Sequence, residues 1–135
     1  MTSLRALAEA ALVLETGAAS VVRQCASCGS SEHGRPVLVG SDLCVSIAYA
    51  EGAAVVAWGT GPIGIDLERA GATAPDGLTI AAWTRLEALG KADGTGLRGW
   101  PNALPTERPT FPLDLPPAYV GTIAGVPLGW RLLRD

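Results

Sequence analysis

A chain of 135 residues, 48% hydrophobic and 17% charged, has enough apolar material for one globular core and is not disordered. A net charge of −3 argues against a nucleic-acid binder, and no run of about 18 apolar residues offers a membrane span. Aromatics make up only 5%, while 17 Gly and 10 Pro imply many turns around modest regular structure, in a single domain over 1–135.

The first element is a helix over 3–16, with Leu4, Leu7, Ala8, Ala11 and Leu14 on one stripe and Gly17 as its stop. Glu9 and Glu15 interrupt this apolar stretch, so it reads as an amphipathic helix rather than a signal peptide, and the protein as cytoplasmic. Residues 24–36, "QCASCGSSEHGRP", are turn-rich and predict a loop. "LCVSIAY" (43–49) and "AAVVAW" (53–58) flank a Glu51-Gly52 turn and predict a hairpin. "IGIDLE" (63–68) is a third strand, followed by a loop over 69–78. "TIAAWTRLEALGKA" (79–92) has helical spacing, with Ile80, Trp83, Leu86 and Leu89 or Gly90 in step and Gly94 and Gly96 ending it. Residues 101–117 hold six of the ten prolines and predict extended, irregular chain. "AYVGTIAG" (118–125) and "GWRLLRD" (129–135) read as closing strands joined by a Gly-Val-Pro turn. The fold class is α+β, a mostly antiparallel sheet packed with two main helices.

The chemistry concentrates in two of these elements. Asp66 and Glu68 are two apart on a strand and share a face. Like charges that close repel unless water or a cation lies between them, and a hard cation such as Mg²⁺ takes oxygen ligands. Spacing alone slightly favours the plainer account, a solvated face of an edge strand. Glu87 and Lys91 are one turn apart on the second helix, which by itself describes a surface ion pair. If Glu87 faces Asp66 and Glu68, it becomes a third metal ligand or a base, and Lys91 a point charge for a phosphate.

Cys25 and Cys28 have the gap of a zinc knuckle and His33 follows, but the set is one ligand short unless Cys44 joins it. A tight turn with reduced thiols is the expected account. No G-x-S-x-G elbow accompanies the single histidine, which argues against hydrolase chemistry. "GTGPIG" precedes a strand instead of following one, so it does not match a dinucleotide loop.

"HGRP" (33–36), "VSIAYAEG" (45–52), "GIDLE" (64–68) and "WTRLEALGKADGTGL" (83–97) occur in that order. The ordered set resembles the 4′-phosphopantetheinyl transferase superfamily, closer to the larger type that activates peptide and polyketide synthases in secondary metabolism. The resemblance implies a phosphopantetheinyl transferase-like α+β fold, truncated relative to the two-half members of the family. It implies Mg²⁺-dependent transfer of the phosphopantetheine arm from coenzyme A, the co-substrate, to a serine of an acyl or peptidyl carrier protein. By resemblance Asp66, Glu68 and Glu87 are the metal ligands. Glu87 is alternatively the base, and Lys91 contacts the phosphates. Arg35, with His33 near it, occupies the position of a phosphate-contacting basic residue.

The chain departs from the family pattern at three places. The Ser-His pair of the nucleotide-contacting strand is Ala48-Tyr49, which leaves Tyr49 as the side chain facing coenzyme A. The lysine before the helix glutamate is Leu86. Only fourteen residues separate Glu68 from Trp83. Two alternatives follow: a divergent member with another phosphate-bearing ligand, or a non-catalytic module that binds a carrier protein or synthase. Self-association could supply the wall that a second half provides in larger members.

Overall fold

The computed structural model describes residues 2–25, 28 and 34–135. The order of elements is α1 (Leu4–Thr16), β1 (Ser20–Gln24), β2 (Arg35–Val39), β3 (Cys44–Ala50), β4 (Ala53–Gly59), β5 (Gly64–Arg69), α2 (Ile80–Asp93), β6 (Thr110–Pro112), β7 (Tyr119–Ala124) and β8 (Gly129–Arg134). A short 3-10 turn spans Pro75–Gly77. The architecture is α+β with antiparallel pairing throughout, as the periodicity predicts.

The helices begin and end for local reasons. Ser3 caps α1 by accepting from the Ala6 amide at 3.1 Å, and Thr79 caps α2 by accepting from Ala82 at 3.1 Å. Gly17 and Gly94 close them at φ 74° and 79°, where a side chain would be strained. The stripe on α1 holds at Leu4, Leu7, Ala8 and Ala11, but Leu12 rather than Leu14 completes it. Ala8, Ala11 and Leu12 are buried, while Leu14 is exposed. Small alanines let the helix lie close to the sheet, and Leu12 completes that face.

Two three-stranded sheets, β3-β4-β8 and β5-β7-β6, form the centre, with β1-β2 as a separate pair. The main core lies between the sheets, where Ala48, Val55 and Ala57 meet Ile65, Leu67 and Ile123. On the far face of β3-β4, Ile47, Ala54 and Val56 pack against Ala8, Ala11 and Leu12 of α1. On the far face of β5-β7, Ala124 packs against Ala88, Leu89 and Ala92 of α2. Burial on both faces explains why "AAVVAW" is apolar without alternation.

Two expectations are corrected here, and the closing strands find their partners. The stretch 24–36 is strand at both ends, since Gln24 pairs with Arg35 across β1-β2. The two closing strands form as expected on either side of Gly125-Val126-Pro127, and they part to different sheets: β7 pairs with β5 and β6, whereas β8 pairs with β4. Each follows the sheet that has an open edge for it, which local turn residues do not encode. The proline-rich stretch also contains β6, an edge strand where prolines are tolerated. No helix among the described residues is long and apolar enough to cross a membrane.

Candidate metal centre and adjoining cavity

β5 explains the position of its carboxylates. Ile65 and Leu67 face the inter-sheet core, so Gly64, Asp66 and Glu68 face the layer that α2 occupies. The face is therefore covered by a helix rather than solvated, contrary to the plainer account. Gly64 makes the cover possible, because a Cβ there would lie 1.9 Å from the Ala88 carbonyl oxygen. One buried hydrogen bond, Thr84 Oγ1 to Thr122 Oγ1 at 2.9 Å, sets how α2 is rotated over β7. Thr122 is the cross-strand partner of Asp66, so this contact fixes α2 beside the carboxylates.

The result is a convergence of three acids. Asp66, Glu68 and Glu87 each bring a carboxylate oxygen within 4.8 Å of the others. Asp66 is only 4% exposed, and its Oδ2 is buried with no hydrogen-bond partner. Burial pushes the Asp66 carboxyl up to about 8, Lys91 opposes the rise, and Glu87 and Glu68 add to it. Glu68 is also raised, by burial first and then by Glu87. A site made only of oxygen donors, with repelling charges and one unpartnered buried oxygen, fits a hard divalent cation such as Mg²⁺.

Lys91 does not pair with Glu87 along the helix. Its ammonium donates to the Ile65 carbonyl at 3.0 Å, the Ile47 carbonyl at 3.2 Å and Asp66 Oδ1 at 3.4 Å. The resemblance implies a phosphate contact for Lys91, and here its ammonium turns to two strand carbonyls and Asp66. The side chain still lines the wall of a neighbouring cavity of about 620 Å³.

That cavity opens where β3 and the start of β5 lie beside the end of α2, and Arg23, Arg35 and Arg108 line it. Arg35 reaches over the C-terminal cap of α2, where a Cβ on Gly94 would lie 2.6 Å from its Nη1. A cation there also complements the helix dipole. Arg23 binds Glu9 at 3.3 Å and the Tyr49 hydroxyl at 3.0 Å, and Arg108 binds Asp93 at 3.0 Å. The Nε atoms of Arg23 and Arg108 are buried without a partner. Hydrogen bonds from Thr106 and Arg108 outweigh burial at Asp93 and hold its carboxyl below the usual range.

The predicted residues thus fall into three groups. Asp66, Glu68, Glu87 and Lys91 come together, and Arg35 lines the cavity beside them. Tyr49 stands apart from them: it is 42% exposed and meets the cavity wall through its hydrogen bond with Arg23. Its strand neighbour Ala48 points into the main core. His33 lies outside the described residues, and with it the zinc question for Cys25 and Cys28. Sequence reasoning missed Arg23 and Arg108, which belong to no motif. Arg108 sits in the proline-rich stretch, and only tertiary folding brings it to α2.

No family model, no curated protein and no solved structure matches the chain.

Proposed function

We propose that the protein is a compact phosphopantetheinyl transferase, with a transferase-like fold and a carrier-protein serine as acceptor. The observation that carries this reading is the convergence of Asp66, Glu68 and Glu87 around an unpartnered buried oxygen, next to an arginine-lined cavity. The family resemblance predicts those acids as a unit from separate motifs.

In this reading Asp66 and Glu68 would hold Mg²⁺, with Glu87 as a third ligand or as the base, and the ion when bound would neutralise phosphate charge. Arg35, with Arg23 and Arg108, holds the anionic part of coenzyme A in the cavity by charge-assisted hydrogen bonds. As the base, Glu87, partly buried on α2, accepts the proton of the attacking serine hydroxyl. The serine oxygen bonds to the β-phosphorus, that phosphorus loses its bridging oxygen, and adenosine 3′,5′-bisphosphate leaves. Positioning and charge neutralisation are the main requirements of such a transfer.

A second reading draws on Ala48 and Tyr49. With Ala48 in the core and Tyr49 held by Arg23, the strand presents neither group of the family's nucleotide-contacting pair. The same metal centre then serves a different phosphate-bearing ligand.

The test is incubation with coenzyme A, Mg²⁺ and a panel of apo carrier proteins, followed by intact mass. The transferase reading expects the mass gain of the phosphopantetheine arm on at least one carrier. No gain on any carrier, with no coenzyme A binding, overturns it. Binding of another phosphate compound in that case favours the second reading.

A further inference from the structure

Lys91 occupies an unusual place for a residue expected to meet phosphate. β3 and β5 are edge strands of different sheets, and among the described residues no backbone ladder joins them. Two side chains bridge the seam instead. Ser46 Oγ accepts the Ile65 amide at 3.0 Å, and the Lys91 ammonium donates to the carbonyls of Ile47 on one strand and Ile65 on the other. An ammonium has three protons, and the third points to Asp66 Oδ1.

From this arrangement we infer that Lys91 is a positioning residue for the cation site. It ties β3 to β5 and holds Asp66 by Oδ1, leaving Oδ2 for the cation. The inference rests on the cation-centre reading above but does not require coenzyme A to be the substrate.

The physical reasoning separates this role from two others. A residue that acts only as a nearby positive charge repels a divalent ion, so removing it strengthens cation binding. A residue that acts as a phosphate contact leaves cation binding unchanged when removed, and weakens coenzyme A binding. A residue that orients a ligand does the opposite of the first: its loss weakens cation binding, as loss of outer-shell partners does at metal centres generally. The seam supplies an independent, uncharged probe in Ser46, which is buried and belongs to the same bridge.

The experiment is a Mn²⁺ titration of the intact protein without coenzyme A, reading free ion by electron paramagnetic resonance, with Mg²⁺ as competitor. Wild type, Lys91→Met and Ser46→Ala are compared, and coenzyme A binding is measured separately in the absence of metal. The expected result is cation affinity about tenfold weaker in Lys91→Met and about threefold weaker in Ser46→Ala. Both side chains line the cavity, so metal-free coenzyme A binding is the comparison, and it falls by less than cation affinity in both variants. Equal or tighter cation binding by Lys91→Met overturns the inference, as does a loss confined to coenzyme A. If Lys91→Met does not fold, Ser46→Ala decides, and an unchanged cation affinity there overturns it. A wild type that binds no Mn²⁺ overturns the cation centre and the role of Lys91 together. A wild type that binds Mn²⁺ but transfers no phosphopantetheine arm overturns only the transferase reading.

Discussion

The carboxylate centre and the arginine-lined cavity lie on either side of Lys91, yet they are assembled in different ways. The centre comes from two elements packed until a glycine is needed, with Gly64 under Ala88 and a threonine pair fixing the helix. The cavity comes from the ends of several elements, and two of its arginines, Arg23 and Arg108, are held by partly exposed acids and a tyrosine. The difference teaches that the centre is sensitive to shape and the cavity to charge. Substitutions should separate the two.

The largest expected effect is on the centre. On the transferase reading, Asp66→Asn and Glu87→Gln should each reduce phosphopantetheine transfer by about 1,000-fold, measured by intact mass against time. Both should keep the fold in circular dichroism, since each puts a neutral amide of similar shape in place of the acid. Unchanged rates in both variants would remove these residues from the site.

Next comes the packing beneath it. Gly64→Val should destabilise the protein by about 3 kcal/mol in denaturant titration, because α2 must move off the β5 backbone. Cation affinity should fall with it.

On the cavity side, Arg35→Met should weaken coenzyme A binding about tenfold while Mn²⁺ affinity without coenzyme A stays the same. A matching fall in cation affinity would mean that the two regions are not separable.

The pH dependence sharpens the comparison further. Asp66 holds its proton in the folded, cation-free protein up to about pH 8, but releases it near 3.8 when unfolded. The unfolded chain then binds fewer protons, so stability falls as pH rises between those values, by at most about 1.4 kcal/mol per pH unit. Saturating Mg²⁺ should flatten the slope, and Asp66→Asn should remove most of it, leaving the smaller part that raised Glu68 contributes. Asp93 on the cavity side has the opposite sign. Its lowered carboxyl contributes stability above its ordinary value of 3.8 that is lost on acidification. Denaturant midpoints at pH 5 to 8 check the first effect, and those below pH 4 the second.

The smallest effect belongs to neither region. Leu14→Glu should change stability by no more than about 0.5 kcal/mol in the same titration, since Leu14 points to solvent.

The elements that were legible in the sequence are those with a local signature. Both main helices show their stops at Gly17 and Gly94, and β3, β4 and β5 show their turns and alternation. The short strands β1, β2 and β6 were not legible. Their residues lie beside turn-rich or proline-rich sequence, and they are strands because a partner is available. Leu14 was misplaced because on an alanine-rich helix the apolar pattern alone does not choose between Leu12 and Leu14.

By itself, the sequence determined that Asp66 and Glu68 share one face of a strand and that Glu87 and Lys91 share one face of a helix. Backbone geometry dictates both, whatever surrounds them. Only the tertiary structure decided that these two faces meet. Gly64 admits the helix, the Thr84–Thr122 bond sets its rotation, and burial then leaves Asp66 Oδ2 without a partner. It also decided that Lys91 turns to two strand carbonyls and Asp66 rather than to Glu87, since the open seam between β3 and β5 presents acceptors that no local pattern encodes.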